Sequence, residues 1–314
     1  MIVLPDIAEF PDFVNEPRNI KDEMAYIVAP MLEAINEGNY KKFIADLDLE
    51  NVEWVNRLEH FFNFYQTWER PDYNVKEMYD GLYVTRGDTE ALRAAVQPVI
   101  DRLLKQPDHT PDIGTFDRYA QLYELVPEVH KYFQDLGIIE MASAYNRRSM
   151  SVANVVLHVA TPTDQNWKQF LQDATTTPKY TNTHIDPKED VIKAMIYLND
   201  VDTTNGAFHY AKGSNRERIH PVQNIFGRAI TTGSYCHSPE SRRSVFKLPR
   251  GLRVSHNFGR QVMPGSTWEK YLDRNLKPVT SEEGNIMVFD PGAGIHQGGI
   301  CESGTRLALQ VLMK

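Results

Sequence analysis

Three side chains in the second half of the chain have the types and the order of a metal-binding site. His184 and Asp186 lie two positions apart in Thr183-His184-Ile185-Asp186, and His296 follows 112 positions after His184. If the first pair ends an extended strand, both side chains point to the same face, because successive side chains alternate. Two imidazoles and one carboxylate on one face of an octahedron leave three positions open, an arrangement diagnostic of non-haem Fe(II) oxygenases. The spacing therefore predicts a catalytic iron site formed by these three residues.

The open positions of such a site determine what else it binds. Two of them suit a bidentate 2-oxo acid, and the third suits O2. Arg306 follows His296 by ten residues, at the start of the last predicted strand. Its planar guanidinium donors match the far carboxylate of a 2-oxo acid. We therefore expect Arg306 to bind a co-substrate of this kind.

The elements that must position these residues change in character near residue 150. Apolar residues at helical spacing predict helices over 19–37 and 51–68, a third helix capped by Asp88 or Thr89 and running to about Gln106, and a fourth over Phe116–Phe133. Short β-branched runs bounded by turn residues then predict strands. They are 151–160, 191–198, 206–210, 285–289 and 306–313. Several short strands without a helix between each pair favour an antiparallel sandwich or barrel over a parallel sheet.

Composition excludes several classes of function. The 314 residues carry a net charge of −8, which argues against a general nucleic-acid binder. The chain has neither a run of about 20 apolar residues nor a signal peptide, so we expect a cytoplasmic protein that does not bind membranes. Only two cysteines are present, which excludes a zinc site built from cysteines. The sequence leaves the oligomeric state open.

The region from about residue 180 to the end resembles the phytanoyl-CoA dioxygenase family of Fe(II)- and 2-oxoglutarate-dependent oxygenases. Four sequence pieces in the right order carry the resemblance. They are His184-x-Asp186, Tyr197-Leu198-Asn199-Asp200-Val201 with Asn205-Gly206, Lys212-Gly213-Ser214-Asn215, and Gly284-Asn285-Ile286-Met287-Val288-Phe289 leading to His296 and Arg306. An isolated His-x-Asp pair would be a weak signal, whereas the ordered set is specific.

The resemblance implies a fold, cofactors and a reaction. The implied fold is α+β, with a double-stranded β-helix (jelly-roll, cupin-like) core over 150–314 and a mainly helical region, 1–149, packed on one sheet as part of one structural unit. The implied cofactors are Fe(II) held by His184, Asp186 and His296, 2-oxoglutarate bound by Arg306, and O2. Hydroxylation or another oxidation of a C–H bond, with release of succinate and CO2, is then the expected reaction.

The sequence departs from the family pattern around the co-substrate. The usual Pro-Gly-Ser-His turn reads Lys212-Gly213-Ser214-Asn215, and Ala308 stands where a small polar residue is common. Further co-substrate contacts are expected from the strand before the metal pair, at Asn154 or His158, or from the strand after it, at Lys193 or Tyr197. Asp186 fills the position that related halogenases leave vacant for a halide, so hydroxylation is favoured over chlorination.

A basic segment separates Asp186 from His296. Residues 212–260 contain ten basic and two acidic side chains, a net charge of +8, which leaves the rest of the chain at −16. In the implied fold this segment belongs to an insertion, at about 212–280, over the mouth of the barrel. Its arginines could bind an anionic small-molecule substrate, or its charge could merely balance an acidic surface of this chain or of a partner. The substrate candidates are Arg216, Arg228, Arg242 and Arg243.

Two other functions remain open at this point. A protein or peptide hydroxylase would use the same chemistry but needs an open groove for a polypeptide. A non-catalytic jelly-roll protein could use the fold to bind a ligand, and it would not consume 2-oxoglutarate. The residues do not identify the substrate, the carbon attacked or the pathway.

Overall fold

The structure is a computed structural model that describes residues 72, 74–106, 118–162, 180, 183–186, 191–216, 264–265 and 267–314. It contains four described α-helices. They are α1 (Glu90–Leu104), α2 (Val126–Asp135), α3 (Ile138–Asn146) and α4 (Thr267–Asn275). Short 3-10 helices span Lys76–Met78, Tyr123–Leu125 and Ser214–Arg216.

Six strands form a large antiparallel sheet. They are β1 (Leu82–Thr85), β2 (Arg118–Gln121), β3 (Val152–Ala160), β4 (Ile192–Tyr197), β7 (Ile286–Phe289) and β9 (Arg306–Met313). Their order across the sheet is β1-β7-β4-β9-β3-β2. The C-terminal strand β9 is therefore central, and it pairs with β3 on one side and β4 on the other.

A second sheet has three strands. They are β5 (Phe208–Ala211), β6 (Leu276–Val279) and β8 (His296–Gln297), in the order β6-β5-β8. From β4 onwards the chain passes from the large sheet to the small one and back, then to β8 and finally to β9. Both sheets and helices α1 to α3 belong to one compact unit.

The outer face of the large sheet packs against helices. Val129 and Phe133 lie four residues apart on one face of α2, and both are fully buried in the same core as the outward residues of β3 and β9. Pro127 lies in the first turn of α2, where a missing N–H costs nothing. Gly137, with a φ of 70°, separates α2 from α3 and lets the chain turn sharply.

The inner face of the large sheet packs against the small sheet through a second core. Its members from the large sheet include Met195, Met287 and Phe289, and those from the small sheet include Phe208 and Tyr210. Each of these residues is buried. The alternation along β4, β7 and β9 thus sends one set of side chains to the helices and the other to the small sheet.

Tyr197 joins the two sheets by hydrogen bonds as well as by packing. Its hydroxyl donates to the carbonyl of Val279 at 2.9 Å and accepts from the N–H of Phe208 at 2.9 Å. Burial raises the pKa of Tyr197 to about 12, so the hydroxyl keeps its proton at physiological pH. One buried side chain of β4 therefore holds both β5 and β6.

Helix predictions from the sequence had mixed outcomes. The helix predicted after Asp88 or Thr89 is confirmed as α1, and Oδ1 of Asp88 accepts from the N–H of Glu90. The helix predicted over Phe116–Phe133 is wrong, because residues 118–121 form β2 and only Val126 onwards is α-helical. Pairing of β2 with β3 overrides the local helical pattern. The predictions for 19–37 and 51–68 lie outside the described residues.

The strand predictions are confirmed: each predicted strand is present, and its bounds are approximately as predicted. The runs predicted at 151–160, 191–198, 206–210, 285–289 and 306–313 correspond to β3, β4, β5, β7 and β9. The expected combination of helices with antiparallel sheets is therefore confirmed for the described part of the chain. The division at residue 149/150 stays a prediction. Among the described helices, none has the length and apolar character needed to span a bilayer.

We expect Tyr197→Phe to destabilise the fold. The substitution leaves the buried N–H of Phe208 and carbonyl of Val279 without their hydroxyl partner, which should lower the free energy of unfolding by about 2–3 kcal/mol. Urea denaturation followed by far-UV circular dichroism measures the change. Tyr123→Phe is the control, since Tyr123 is 68% exposed and should change stability by less than about 0.5 kcal/mol. Equal stability of the two variants would contradict the role given to Tyr197.

Candidate metal centre

His184 and Asp186 lie in a buried segment formed by residues 183–186. Relative exposure is 2% for His184 and 6% for Asp186. Nε2 of His184 is 3.5 Å from Oδ1 of Asp186. The two side chains therefore point toward the same place, as alternation around Ile185 predicts.

His296 begins β8 at an edge of the small sheet. Its side chain is 4% exposed, and Nδ1 lies 2.8 Å from the carbonyl oxygen of Gly294. A carbonyl can only accept, so Nδ1 carries the proton and the neutral ring has its lone pair on Nε2. A backbone hydrogen bond on one ring nitrogen is the usual way to orient a histidine that binds metal through the other.

These three residues form a buried cluster that could hold a metal ion. One ligand atom from each of His184, Asp186 and His296 lies within 4.8 Å of the other two. Two imidazoles and a carboxylate form a set that suits Fe(II) and leaves coordination positions for other molecules. Within the described residues, this is the group of histidine, cysteine and acidic side chains with such a geometry.

The loop that leads into His296 is held by backbone and side-chain hydrogen bonds. Oγ of Ser214, itself 1% exposed, accepts from the N–H of Ile295 at 2.8 Å. The carbonyl of Ile295 in turn accepts from the N–H of Ala211 at 2.9 Å. Ser214 thus fixes the backbone immediately before the metal-binding histidine.

Glycine at position 294 leaves room for an aromatic ring behind this loop. A Cβ on Gly294 would overlap the hydroxyl of Tyr210. The ring of Phe289 lies 5.1 Å from the ring of His296, and that of Phe208 lies 5.9 Å from it. One side of His296 is therefore packed against buried aromatic rings from both sheets, which limits its rotation.

Arg306 occupies the first position of β9, opposite Ala160 of β3. It is 5% exposed, and Nη1 donates to the carbonyl oxygen of Gly206. Gly206 has a φ of 95°, a conformation that favours glycine, and a Cβ there would be 3.4 Å from Nη1 of Arg306. Gly206 therefore lets its backbone approach the guanidinium and hold it.

Strand register gives the positions of three other residues that are predicted to touch a co-substrate. Tyr197 is directly opposite Ala308, two residues from Arg306, but its hydroxyl bonds to the backbone of the small sheet. Asn154 and Lys193 are both opposite Leu312, six residues from Arg306 along β9. Between backbone positions along β9 that separation is about 20 Å. A contact of Asn154 or Lys193 with the co-substrate stays a prediction.

The predicted substrate arginines lie in the basic segment or at its start. Arg216 ends the 3-10 helix Ser214–Arg216, and Arg228, Arg242 and Arg243 lie outside the described residues. Whether the basic segment binds a substrate therefore stays a prediction.

Comparison with known proteins gives the following. No family model matches the sequence, and the curated proteins contain no match. Among solved structures, the non-haem alpha-ketoglutarate-dependent epimerase SnoN from nogalamycin biosynthesis is 13% identical with a TM-score of 0.43, over 76% of this chain and 80% of that chain. The carbocyclase SnoK from the same pathway is 15% identical with a TM-score of 0.43, over 76% and 81%.

A third similar structure is EctD from S. alaskensis, solved with 2-oxoglutarate and 5-hydroxyectoine. It is 12% identical with a TM-score of 0.43, over 76% of this chain and 74% of that chain. Identities and TM-scores this low do not establish the function of this chain.

Two residues that support the site lie in the sequence motifs of the family resemblance, but the sequence alone gave them no role. Ser214 belongs to the Lys212-Gly213-Ser214-Asn215 turn, and Gly206 follows Asn205. Their positions in turns were the feature of the sequence that could have indicated this role. Their partners, Ile295 and Arg306, lie 81 and 100 residues away, so the contacts could not be read from local sequence.

We expect Ser214→Ala to weaken metal binding. Loss of the hydroxyl leaves the buried N–H of Ile295 without its acceptor and loosens the backbone that carries His296, which should raise the Kd for Fe(II) about tenfold. Anaerobic titration with Fe(II), or with Co(II) as a spectroscopic substitute, measures the Kd.

Ser281→Ala is the matched control for this prediction. Oγ of Ser281 also accepts from a backbone N–H, that of Val201, at 2.6 Å, but it supports the turn between β6 and β7. Its removal should cost comparable stability without changing the Kd. If both variants bind metal like the wild type, Ser214 does not position His296.

Proposed function

We propose that this protein is an Fe(II)- and 2-oxoglutarate-dependent dioxygenase of the phytanoyl-CoA dioxygenase family. The observation that carries the proposal is the buried cluster of His184, Asp186 and His296, whose ligand atoms lie within 4.8 Å of one another. Burying a carboxylate is expensive unless a cation or hydrogen bonds compensate for its charge. A divalent metal would supply that compensation here, and the donor set matches the ligands that Fe(II) oxygenases use.

The strand order supports a double-stranded β-helix as the fold. Strands β3, β9, β4 and β7 lie side by side in one sheet, and β6, β5 and β8 form the other. The chain crosses between the sheets at β4–β5, β6–β7, β7–β8 and β8–β9, and these crossings support a jelly roll. In this fold His296 and Arg306 begin successive strands of opposite sheets, which brings both toward the space between the sheets.

Arg306 is the proposed partner of the far carboxylate of 2-oxoglutarate. Gly206 holds Nη1, so the guanidinium is fixed in one orientation before any ligand arrives. Such pre-organisation lowers the entropy cost of binding. The guanidinium is also buried, which strengthens its attraction for a carboxylate relative to that of an exposed arginine.

When bound, the iron and the 2-oxo acid supply the power to activate O2 and oxidise a C–H bond, with release of succinate and CO2. The chain supplies ligation and orientation. His184, Asp186 and His296 would hold the metal, and the aromatic rings of Phe208 and Phe289 would exclude water from the rear of His296. The expected substrate is a small anionic molecule, and hydroxylation is the expected outcome.

We expect iron-dependent release of succinate from 2-oxoglutarate by the wild-type protein, and its loss in His184→Ala. Removal of one of three protein ligands should reduce turnover at least a hundredfold, because the remaining imidazole and carboxylate hold Fe(II) weakly. The measurement is succinate formed anaerobically and aerobically, with and without added Fe(II).

His130→Asn is the control for this experiment. His130 lies on α2, which packs on the outer face of the large sheet, and its Nδ1 accepts from the N–H of Val152. Its turnover should equal that of the wild type. Equal turnover by the wild type and His184→Ala would remove His184 from the mechanism, and no 2-oxoglutarate consumption by the wild type would favour a non-catalytic binding protein.

We also expect Gly206→Ala to raise the KM for 2-oxoglutarate about tenfold. The added Cβ would lie 3.3–3.4 Å from Nη1 of Arg306, the N–H of Cys301 and the carbonyl of Gly299, all tighter than ordinary contacts. The backbone around Gly206 must then shift, and with it the carbonyl that holds the guanidinium, whereas the metal ligands are not touched. KM and kcat for 2-oxoglutarate, and the Kd for Fe(II), are the measurements.

Gly304→Ala is the matched control. Gly304 also has a positive φ, 68°, so alanine suffers a similar backbone penalty there. The nearest atom to its added Cβ is 3.8 Å away and belongs to Asn205, not to Arg306. Equal KM values for the two variants would show that backbone strain, rather than displacement of Arg306, causes any effect.

A further inference from the structure

Asp290 is a buried carboxylate in the loop that leads to His296. It follows Phe289, the last residue of β7, and its relative exposure is 1%. It does not belong to the metal cluster that the described residues form. A carboxylate in such a position is costly unless hydrogen bonds compensate for its charge. The donors that face Asp290 therefore indicate what this residue does.

Each carboxylate oxygen of Asp290 accepts a hydrogen bond from a different part of the fold. Oδ1 accepts from the N–H of Gly292 at 2.9 Å, and Oδ2 accepts from the hydroxyl of Tyr145 at 3.1 Å. Tyr145 is fully buried on α3, and its carbonyl accepts from the N–H of Asp72 at 2.7 Å. One side chain thus shapes the turn after β7 and ties this turn to a helix.

The backbone of Asp290 extends this support to His296. The carbonyl of Asp290 accepts from the N–H of Gly294 at 3.0 Å, and the carbonyl of Gly294 lies 2.8 Å from Nδ1 of His296. Gly294 is therefore held at its N–H by Asp290, while its carbonyl bonds to the imidazole. A rotation of the turn would move that carbonyl and weaken its bond to Nδ1.

Two side chains support this loop at neighbouring residues. Asp290 holds Gly294, whereas the hydroxyl of Ser214 holds the N–H of Ile295. The N–H of Asp290 also donates to the carbonyl of Gly81 at 3.3 Å, a bond that does not involve the carboxylate. Loss of the carboxylate would therefore leave the end of β7 attached to the fold and would loosen the turn that follows it.

We propose that Asp290 is a positioning residue of the metal centre. Together with Tyr145, its carboxylate fixes the turn so that the carbonyl of Gly294 keeps the proton of His296 on Nδ1 and leaves Nε2 for the metal. Asp290 acts through the backbone and does not itself bind the metal. The inference rests on the proposed function, because it takes His296 as a metal ligand.

The tautomer of His296 in the metal-free protein is the first test. Long-range proton–nitrogen NMR spectra of protein with isotopically labelled histidine distinguish a proton on Nδ1 from one on Nε2, at about pH 8, where imidazoles are ordinarily neutral. The signals of His296 are those that His296→Asn lacks. We expect the Nδ1–H tautomer in the wild type and a mixture of tautomers in Asp290→Ala.

Metal affinity is the second test. Asp290→Ala should raise the Kd for Co(II) about tenfold, because His296 is no longer held in the orientation that binds metal. Tyr145→Phe removes one of the two hydrogen bonds to the carboxylate and should raise this Kd several-fold. Asp290→Asn should keep the Kd close to that of the wild type, because an amide can accept from Gly292 through Oδ1 and donate to the hydroxyl of Tyr145 through Nδ2.

Asn285→Ala is the matched control. Asn285 lies at the other end of β7, where its side chain accepts from the N–H of Gly87 and donates to the carbonyl of Gly87, both at 2.9 Å. This substitution also removes two hydrogen bonds between a polar side chain and the rest of the fold, so the general loss of stability should be comparable. Neither the tautomer of His296 nor the Kd for Co(II) should change.

The outcomes separate this inference from the proposed function. A wild-type tautomer and Kd in Asp290→Ala, or the same change in Asn285→Ala or Asp290→Asn as in Asp290→Ala, would overturn the role given to Asp290. If Asp290→Ala does not fold, Tyr145→Phe decides by the same two measurements. Absence of iron-dependent 2-oxoglutarate turnover in the wild type would overturn the proposed function, whereas the tautomer in the metal-free protein does not depend on turnover.

Discussion

Packing of the small sheet onto the inner face of the large sheet is the constraint on which the rest of the site depends. His296 begins a strand of the small sheet, and Arg306 begins the next strand, in the large sheet. Their separation is therefore set by how closely the sheets approach. Phe208 and Phe289, with ring centroids 4.7 Å apart, and the two hydrogen bonds of Tyr197 fix that approach. A change at this interface between the sheets would move His296 relative to Arg306.

Backbone carbonyls orient two of the functional side chains. The carbonyl of Gly294 selects the tautomer of His296, and the carbonyl of Gly206 holds the guanidinium of Arg306. At Gly206 the carbonyl can approach because glycine has no Cβ and adopts a positive φ, whereas the missing Cβ of Gly294 leaves room for Tyr210. Groups fixed by the fold need no reorganisation when a ligand binds, which is the basis of pre-organised recognition.

Local sequence patterns predicted most of the strands, because period-two alternation and turn residues can be recognised in short stretches of sequence. They failed at residues 118–121, where a helical pattern became β2 because an edge of β3 was available for pairing. They also grouped Asn154, Lys193 and Tyr197 as equivalent neighbours of a co-substrate. Cross-strand register places Tyr197 opposite Ala308, and Lys193 and Asn154 opposite Leu312. Because β3, β4 and β9 are far apart in the chain, this register depends on the whole fold.

By itself, the sequence determined the donor types at positions 184, 186, 296 and 306, their order, and the short strands that carry the last two. These are properties of single residues and of local alternation. Tertiary structure alone decided that the three ligands meet in one buried cluster, that the hydroxyl of Tyr197 bonds to the backbone, and that Lys193 pairs with Leu312, six residues from Arg306. The reason is physical, because these relations come from strand register and sheet packing. Both join segments that can be more than 100 residues apart in the chain.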